Sequence, residues 1–155
     1  MTRNERIIIR PAQDDDVPGI VALLADDPVG CNRETPGSIE AYLDAYAEMI
    51  QDPAIRLYVA VDIPGTVIGY LQMTITRHLS YRGSRRALLE DLRVATSHRN
   101  QGIGRRLVST SIVDAKKAGC GIIQLFVHQS REQARSFYQA LGFRADHLGL
   151  RLTIE

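Results

Sequence analysis

The chain of 155 residues has no tryptophan, three phenylalanines and only two cysteines, Cys31 and Cys120. Two thiols cannot build a disulfide framework, so a reduced, cytoplasmic setting is the expectation. The longest uninterrupted apolar stretches run to about seven residues, far short of the ~20 that cross a bilayer. At the amino terminus, MTRNERIIIRPAQ has an apolar core of only three residues, too short for a secretory signal. Neither charge dominates: 19 Lys and Arg against 18 Asp and Glu give a net +1, which argues against a nucleic-acid or membrane-surface binder. The four histidines, at 78, 98, 128 and 147, show neither H-E-x-x-H nor any paired ligand spacing, and no metal site is expected. What remains is 45% hydrophobic and 24% charged residues, the make-up of a globular protein. The length fits a single domain over 1–155.

The balanced total conceals an asymmetry. Residues 11–52 carry ten acids and one base, a net −9, which leaves the remainder at +10. One part tolerates cations and the other anions. Ile7 to Ile9 read as a short strand ended by Pro11, and Val17, Ile20, Val21 and Leu24 recur at helical spacing behind three aspartates. Pro18 and Gly19 fit only if that helix begins near Asp15. A turn-rich loop spans 26–38, and a second amphipathic helix covers 39–50. Strands at 55–62 and 66–77 flank Pro64-Gly65, and ALLEDLRV (87–94) reads as a buried central strand. A helix from Gly102 to Gly119, a strand at 122–127, a helix ending at Gly142 and closing strands at 143–145 and 148–154 complete a mixed α/β order.

The most informative stretch is the junction between the central strand and the helix after it. The strand ends at Val94, and Arg99-Asn100-Gln101-Gly102-Ile103-Gly104 opens the helix. Glycines admit a ligand close to the backbone, and the unpaired amides of a helix start form an anion site that suits a pyrophosphate. Arg99, Arg105 and Arg106 add positive charge there. The alternative is that the glycines serve only close helix–sheet packing. A G-x-x-x-x-G-K-[ST] loop is absent, and no G-x-G-x-x-G follows the first strand, so neither a P-loop nor a Rossmann site is expected.

RNQGIG resembles the R/Q-x-x-G-x-G/A motif of the Gcn5-related N-acetyltransferases, the GNAT superfamily, and ARSFYQALGF (134–143) resembles that family's A-x-x-F-Y-x-x-L-G-F segment. The spacing between the two and the element order agree as well. The resemblance implies an α/β (α+β) fold: a mixed sheet of six to seven strands, helices on both faces, and fourth and fifth strands that splay apart around acetyl-CoA. It implies pantetheine contacts along Leu92, Arg93 and Val94. Pyrophosphate contacts would come from Gln101, Gly102, Gly104 and Arg105, with Arg99, Asn100 and Ile103 alongside. One position departs from the family pattern: Arg131 stands where an asparagine often precedes the tyrosine-bearing helix, and it could reach a CoA phosphate or stay on the surface.

The implied reaction is direct acyl transfer from acetyl-CoA to a primary amine within a ternary complex. Tyr138 matches the family's general acid beside the thioester sulfur; otherwise it is a packing aromatic. Glu90 is the candidate general base, with Asp91 and His128 as further candidates. Its structural alternative is a salt bridge to Arg86 or Arg93. If the central strand alternates without interruption, Glu90, Leu92 and Val94 share one face. The −9 segment favours a cationic acceptor: a small amine such as a polyamine or amino sugar, or a peptide or protein amine. A non-catalytic acyl-CoA-binding sensor is the alternative reading. A peptide-binding module would have only the exposed Tyr42 and Tyr46 to offer. A homodimer is a further expectation for the family.

Overall fold

The computed structural model describes residues 7–27 and 38–154. Cys31 and most of the 26–38 loop therefore lie outside the described residues. Contacts divide the chain into two units, Met1–Gln124 and Leu125–Glu155.

In the first unit, β1 (Ile8–Pro11), α1 (Val17–Ala25), α2 (Glu40–Met49), β2 (Ile55–Val61) and β3 (Val67–Arg77) come first. A single distorted turn, α3 (Ser80–Gly83), leads into β4 (Arg85–Val94), α4 (Ile103–Lys117) and β5 (Cys120–Leu125). The sheet order follows the chain, β1-β2-β3-β4-β5, and the first three pairings are antiparallel. β5 is reached from β4 through α4, the crossover that makes a strand run parallel to its predecessor and gives a mixed sheet.

Alternation divides the side chains between two helices. Val59, Val61 and Tyr70 face one way and form a buried cluster with Ile20 and Leu23 of α1. Tyr58 and Ala60 face the other way, where the Tyr58 hydroxyl donates to Asp114 Oδ2 of α4 at 3.0 Å. Burial first, then that carboxylate, pushes the Tyr58 phenol up to about 12. Helices thus cover both faces. Pro18 lies in the first turn of α1, where its missing N–H costs nothing. Gly19 is there for space, because a methyl group at that position would stand 2.8 Å from Val67 Cβ.

Before α1, the buried Asp16 takes two hydrogen bonds from Arg10, at 2.6 and 2.9 Å, and one from the Gln13 amide at 2.7 Å. Burial works to raise this carboxyl, but the Arg10 and Gln13 bonds outweigh it and hold it below its ordinary range. Tyr46, expected to be exposed, is buried on α2, and its hydroxyl donates to the Ala12 carbonyl at 3.1 Å.

The second unit holds α5 (Glu132–Ala140). Residues 143–154 contain no strand, so the sheet has five strands among the described residues, not six to seven. Leu148, Leu150, Leu152 and Ile154 do alternate, yet each is at least 75% exposed. Alternation encodes only a face; a strand needs a neighbouring edge as well.

Because the Asp16 carboxyl is lowered, its contribution is full above the unfolded pKa near 3.8 and disappears as pH falls through the folded value. Asp16→Asn is expected to cost about 2 kcal/mol at pH 7 and to flatten the melting-temperature profile below pH 4. Thermal denaturation across pH 2–7 measures both.

Candidate functional site

β4 and β3 fall out of simple register at one point. Gln72 pairs with Glu90 and Tyr70 with Arg93, so two steps on β3 match three on β4. The extra residue is a bulge at Asp91, whose φ of +55° is left-handed, a conformation that aspartate tolerates better than most side chains. The bulge changes the facing expected from plain alternation. Glu90 and Arg93 point with Gln72 and Tyr70 toward the α1 side, whereas Val94, opposite Gly69, points toward α4. Glu90 and Val94 therefore lie on opposite faces.

β4 also outruns β5. Gly121 lies beside Ser84, with a methyl at 121 falling 3.0 Å from its hydroxyl, so the two strands start level. β5 has six residues and β4 has ten, which leaves the stretch from Glu90 to Val94 beyond its end. Two carbonyls in this stretch accept side chains: Leu92 O from Arg93 Nη1 at 3.0 Å and Val94 O from Arg99 Nε at 3.3 Å. They are the hydrogen-bonding backbone expected to meet a pantetheine arm.

Arg93 itself is engaged elsewhere. Its Nη2 lies 3.0 Å from Oδ2 of the buried Asp27, just past α1, and Thr96 donates to the neighbouring Asp26 at 3.1 Å. The end of α1 is thereby tied to the end of β4. Neither arginine proposed to neutralise Glu90 does so, since Arg86 reaches the Ser80 hydroxyl at 2.9 Å and stacks over Tyr81. The exposed Glu90 carboxylate has no ion pair or hydrogen bond among the described residues. Burial of its stem, then the adjacent Asp91, raises its pKa above the ordinary glutamate value. Tyr70 is likewise raised, by burial first and then by Asp91 and Glu90.

The start of α4 has the form of an anion site. Asn100 and Gly102 take left-handed φ values of +60° and +79°. A Cβ at Gly102 would meet nothing within 4 Å, so this glycine serves the turn and not packing. No side chain caps the helix, and its first turn holds no acid. The first helical bond runs from the Arg106 amide to Gly102 O, which leaves the amides of Ile103, Gly104 and Arg105 ahead of it. Arg105 is exposed in that turn, where a cation opposes the helix dipole unless an anion sits there. Ile103 contributes backbone alone, its side chain being 1% exposed. Gln101 Nε2 holds Ser97 O at 3.3 Å, and Arg106 turns away to Ile7 O at 2.8 Å. These residues fit a diphosphate.

In the second unit, Tyr138 is half-buried on α5 with edge-on contacts to Phe137 and Phe143, at centroid distances of 5.0 and 5.8 Å. The helix ends in a Schellman motif: the Phe143 amide bonds Tyr138 O, the Gly142 amide bonds Gln139 O, and Gly142 has φ +96°. The sequence L-G-F is the C-cap that orients this tyrosine. Arg131 is the N-cap residue of α5, and His128 is exposed with Nδ1 2.7 Å from Ser130 Oγ. Sequence reasoning missed the Asp27–Arg93 pair, because 66 residues separate its members.

Residues 17–143 match the acetyltransferase (GNAT) family. Aminoalkylphosphonate N-acetyltransferase of Salmonella typhimurium (strain LT2) is 24% identical over 151 residues, 95% of this chain and 94% of that protein. Among solved structures, a transcriptional regulator from Bacillus halodurans C-125 is 39% identical with a TM-score of 0.90, covering 96% of this chain and 99% of that one. An acetyltransferase from Trypanosoma brucei is 25% identical with a TM-score of 0.82, covering 96% and 99%. The chain belongs to the GNAT family of acetyltransferases and is an acetyl-CoA-dependent N-acetyltransferase, with acetyl-CoA as its acyl donor.

Gly104→Glu is expected to abolish coenzyme A binding while leaving the fold intact, since it adds bulk and negative charge beside the free amides. Calorimetry against coenzyme A, with circular dichroism as the folding control, measures this.

Proposed function

We propose that this enzyme acetylates a primary amine on a cationic small molecule, or a peptide or protein amine, in a direct ternary complex with Glu90 as general base and Tyr138 as general acid. The observation that carries the reading is the Glu90 carboxylate, exposed at the β4 bulge, unpaired among the described residues and raised in pKa. An alkylammonium with a pKa near 10 must lose a proton before it can attack, and a carboxylate of raised pKa is the stronger base for that transfer. Acetyl-CoA supplies the acyl group as an activated thioester. The amides at the start of α4, with Arg99 and Arg105, hold its diphosphate, and the backbone from Leu92 to Val94 holds its arm. Tyr138 gives a proton to the departing thiolate. Asp91 and His128 are the lesser candidates for base.

The acceptor class rests on charge. In the acidic segment Asp16, Asp26, Asp27 and Asp52 are committed to internal hydrogen bonds. Asp15, Asp44 and Glu48 remain exposed and attract a cation. Similar proteins are named for small amines: aminoalkylphosphonate, streptothricin and glucosamine 6-phosphate. A homodimer in the cytoplasm goes with this reading, supported by the exposed apolar positions at 148–154 and the free thiol of Cys120.

Acetylation of an amine panel followed by mass detection tests the function. Turnover on polyamines or amino sugars supports it, and coenzyme A binding without turnover on any amine overturns it in favour of a sensor.

Tyr138→Phe keeps both ring contacts and the Schellman motif. It is expected to leave coenzyme A affinity unchanged and to slow turnover at least tenfold, about 1.4 kcal/mol. An unchanged rate rejects Tyr138 as the acid. Glu90 must be deprotonated to act, so kcat/KM rises with pH through a limb above the ordinary glutamate value of 4.5. Glu90→Gln is expected to remove that limb; a pH profile that keeps it assigns the base elsewhere.

A further inference from the structure

On the α4 face of the sheet, three adjacent strands each bring an arginine to the same end: Arg56 from β2, Arg77 from β3 and Arg85 from β4. Arg77 and Arg85 are direct cross-strand partners. Like charges placed opposite one another destabilise a sheet. With Ala54, Ile75 and Ala118 they line a cavity of about 280 Å³ whose lining includes no acid.

Two of these guanidinium groups are held in place. Arg85 Nη1 donates to Ala118 O at 3.0 Å and Arg56 Nη1 to Asp114 O at 3.4 Å, both at the carboxyl end of α4, where the helix dipole favours cations. Arg77 has no such explanation. It is exposed, and its guanidinium makes no hydrogen bond or ion pair among the described residues. Nearby carboxylates are occupied: Asp114 by Tyr58 and Lys117, Asp52 by the Ala54 amide.

We propose that this cup is a second anion site, which takes a phosphate group, free or carried on a small molecule. Guanidinium groups that line one cup suit phosphate oxygens, and two of the three are already held by backbone carbonyls. The site is distinct from the turn that opens α4, because Arg85 and Val94 lie at opposite ends of β4, on the order of 30 Å apart.

Thermal unfolding with saturating coenzyme A in every sample keeps the first anion site filled while inorganic phosphate is titrated at constant ionic strength against chloride. The wild-type melting temperature is expected to rise by about 3 °C or more at ten times the dissociation constant. Arg77→Gln is expected to melt higher than wild type without phosphate, because repulsion is relieved, and to lose the phosphate response while its coenzyme A affinity stays unchanged. Arg85→Gln is expected to lose the response as well. No phosphate-specific rise in the wild type, or a full rise in Arg77→Gln, overturns the proposal.

Discussion

The candidate site depends on a single constraint: β4 is longer than the strand beside it and carries one residue too many. A strand that ran level with β5 would spend all its backbone groups on pairing. Instead the stretch from Glu90 to Val94 continues past β5, and the carbonyls of Leu92 and Val94 accept side chains. The left-handed turn at Asp91 then rotates everything that follows it. Glu90, just before the turn, faces α1 and Val94, after it, faces α4, so that one short stretch of strand presents a carboxylate to one side and backbone to the other.

The surrounding structure fixes that arrangement from two directions. The buried Asp27–Arg93 pair fastens the end of α1 to the far side of the bulge, and Thr96 to Asp26 adds a second tie. A buried ion pair is costly to assemble, so its use here is better explained by geometry than by stability. From the other side, α4 begins directly after the strand, uncapped and free of acid, with its amides ahead of the first helical bond. The same helix receives Arg85 and Arg56 at its far end, so cations gather at both termini for opposite electrostatic reasons.

Much of this was legible in the sequence where the signal is local. RNQGIG marked the turn that opens α4 because a left-handed cap and an uncapped helix start demand particular residues in a row. L-G-F marked the end of α5 for the same reason. The strands at 55–61 and 67–77 and both long helices followed from periodicity. The glycines at 19 and 102 look alike in sequence, yet one is needed for contact with Val67 and the other for its backbone angle.

The sequence by itself determined the main helices and the strands that precede Gly142, where charge accumulates and which turn opens α4 without a side-chain cap, since each depends on neighbours a few residues apart. Tertiary structure alone decided the bulge at Asp91, the pairing of Asp27 with Arg93, the burial of Tyr46 and the absence of strands after Phe143. Those features depend on contacts between distant parts of the chain, and no local pattern of residues encodes which edge or partner a segment will meet.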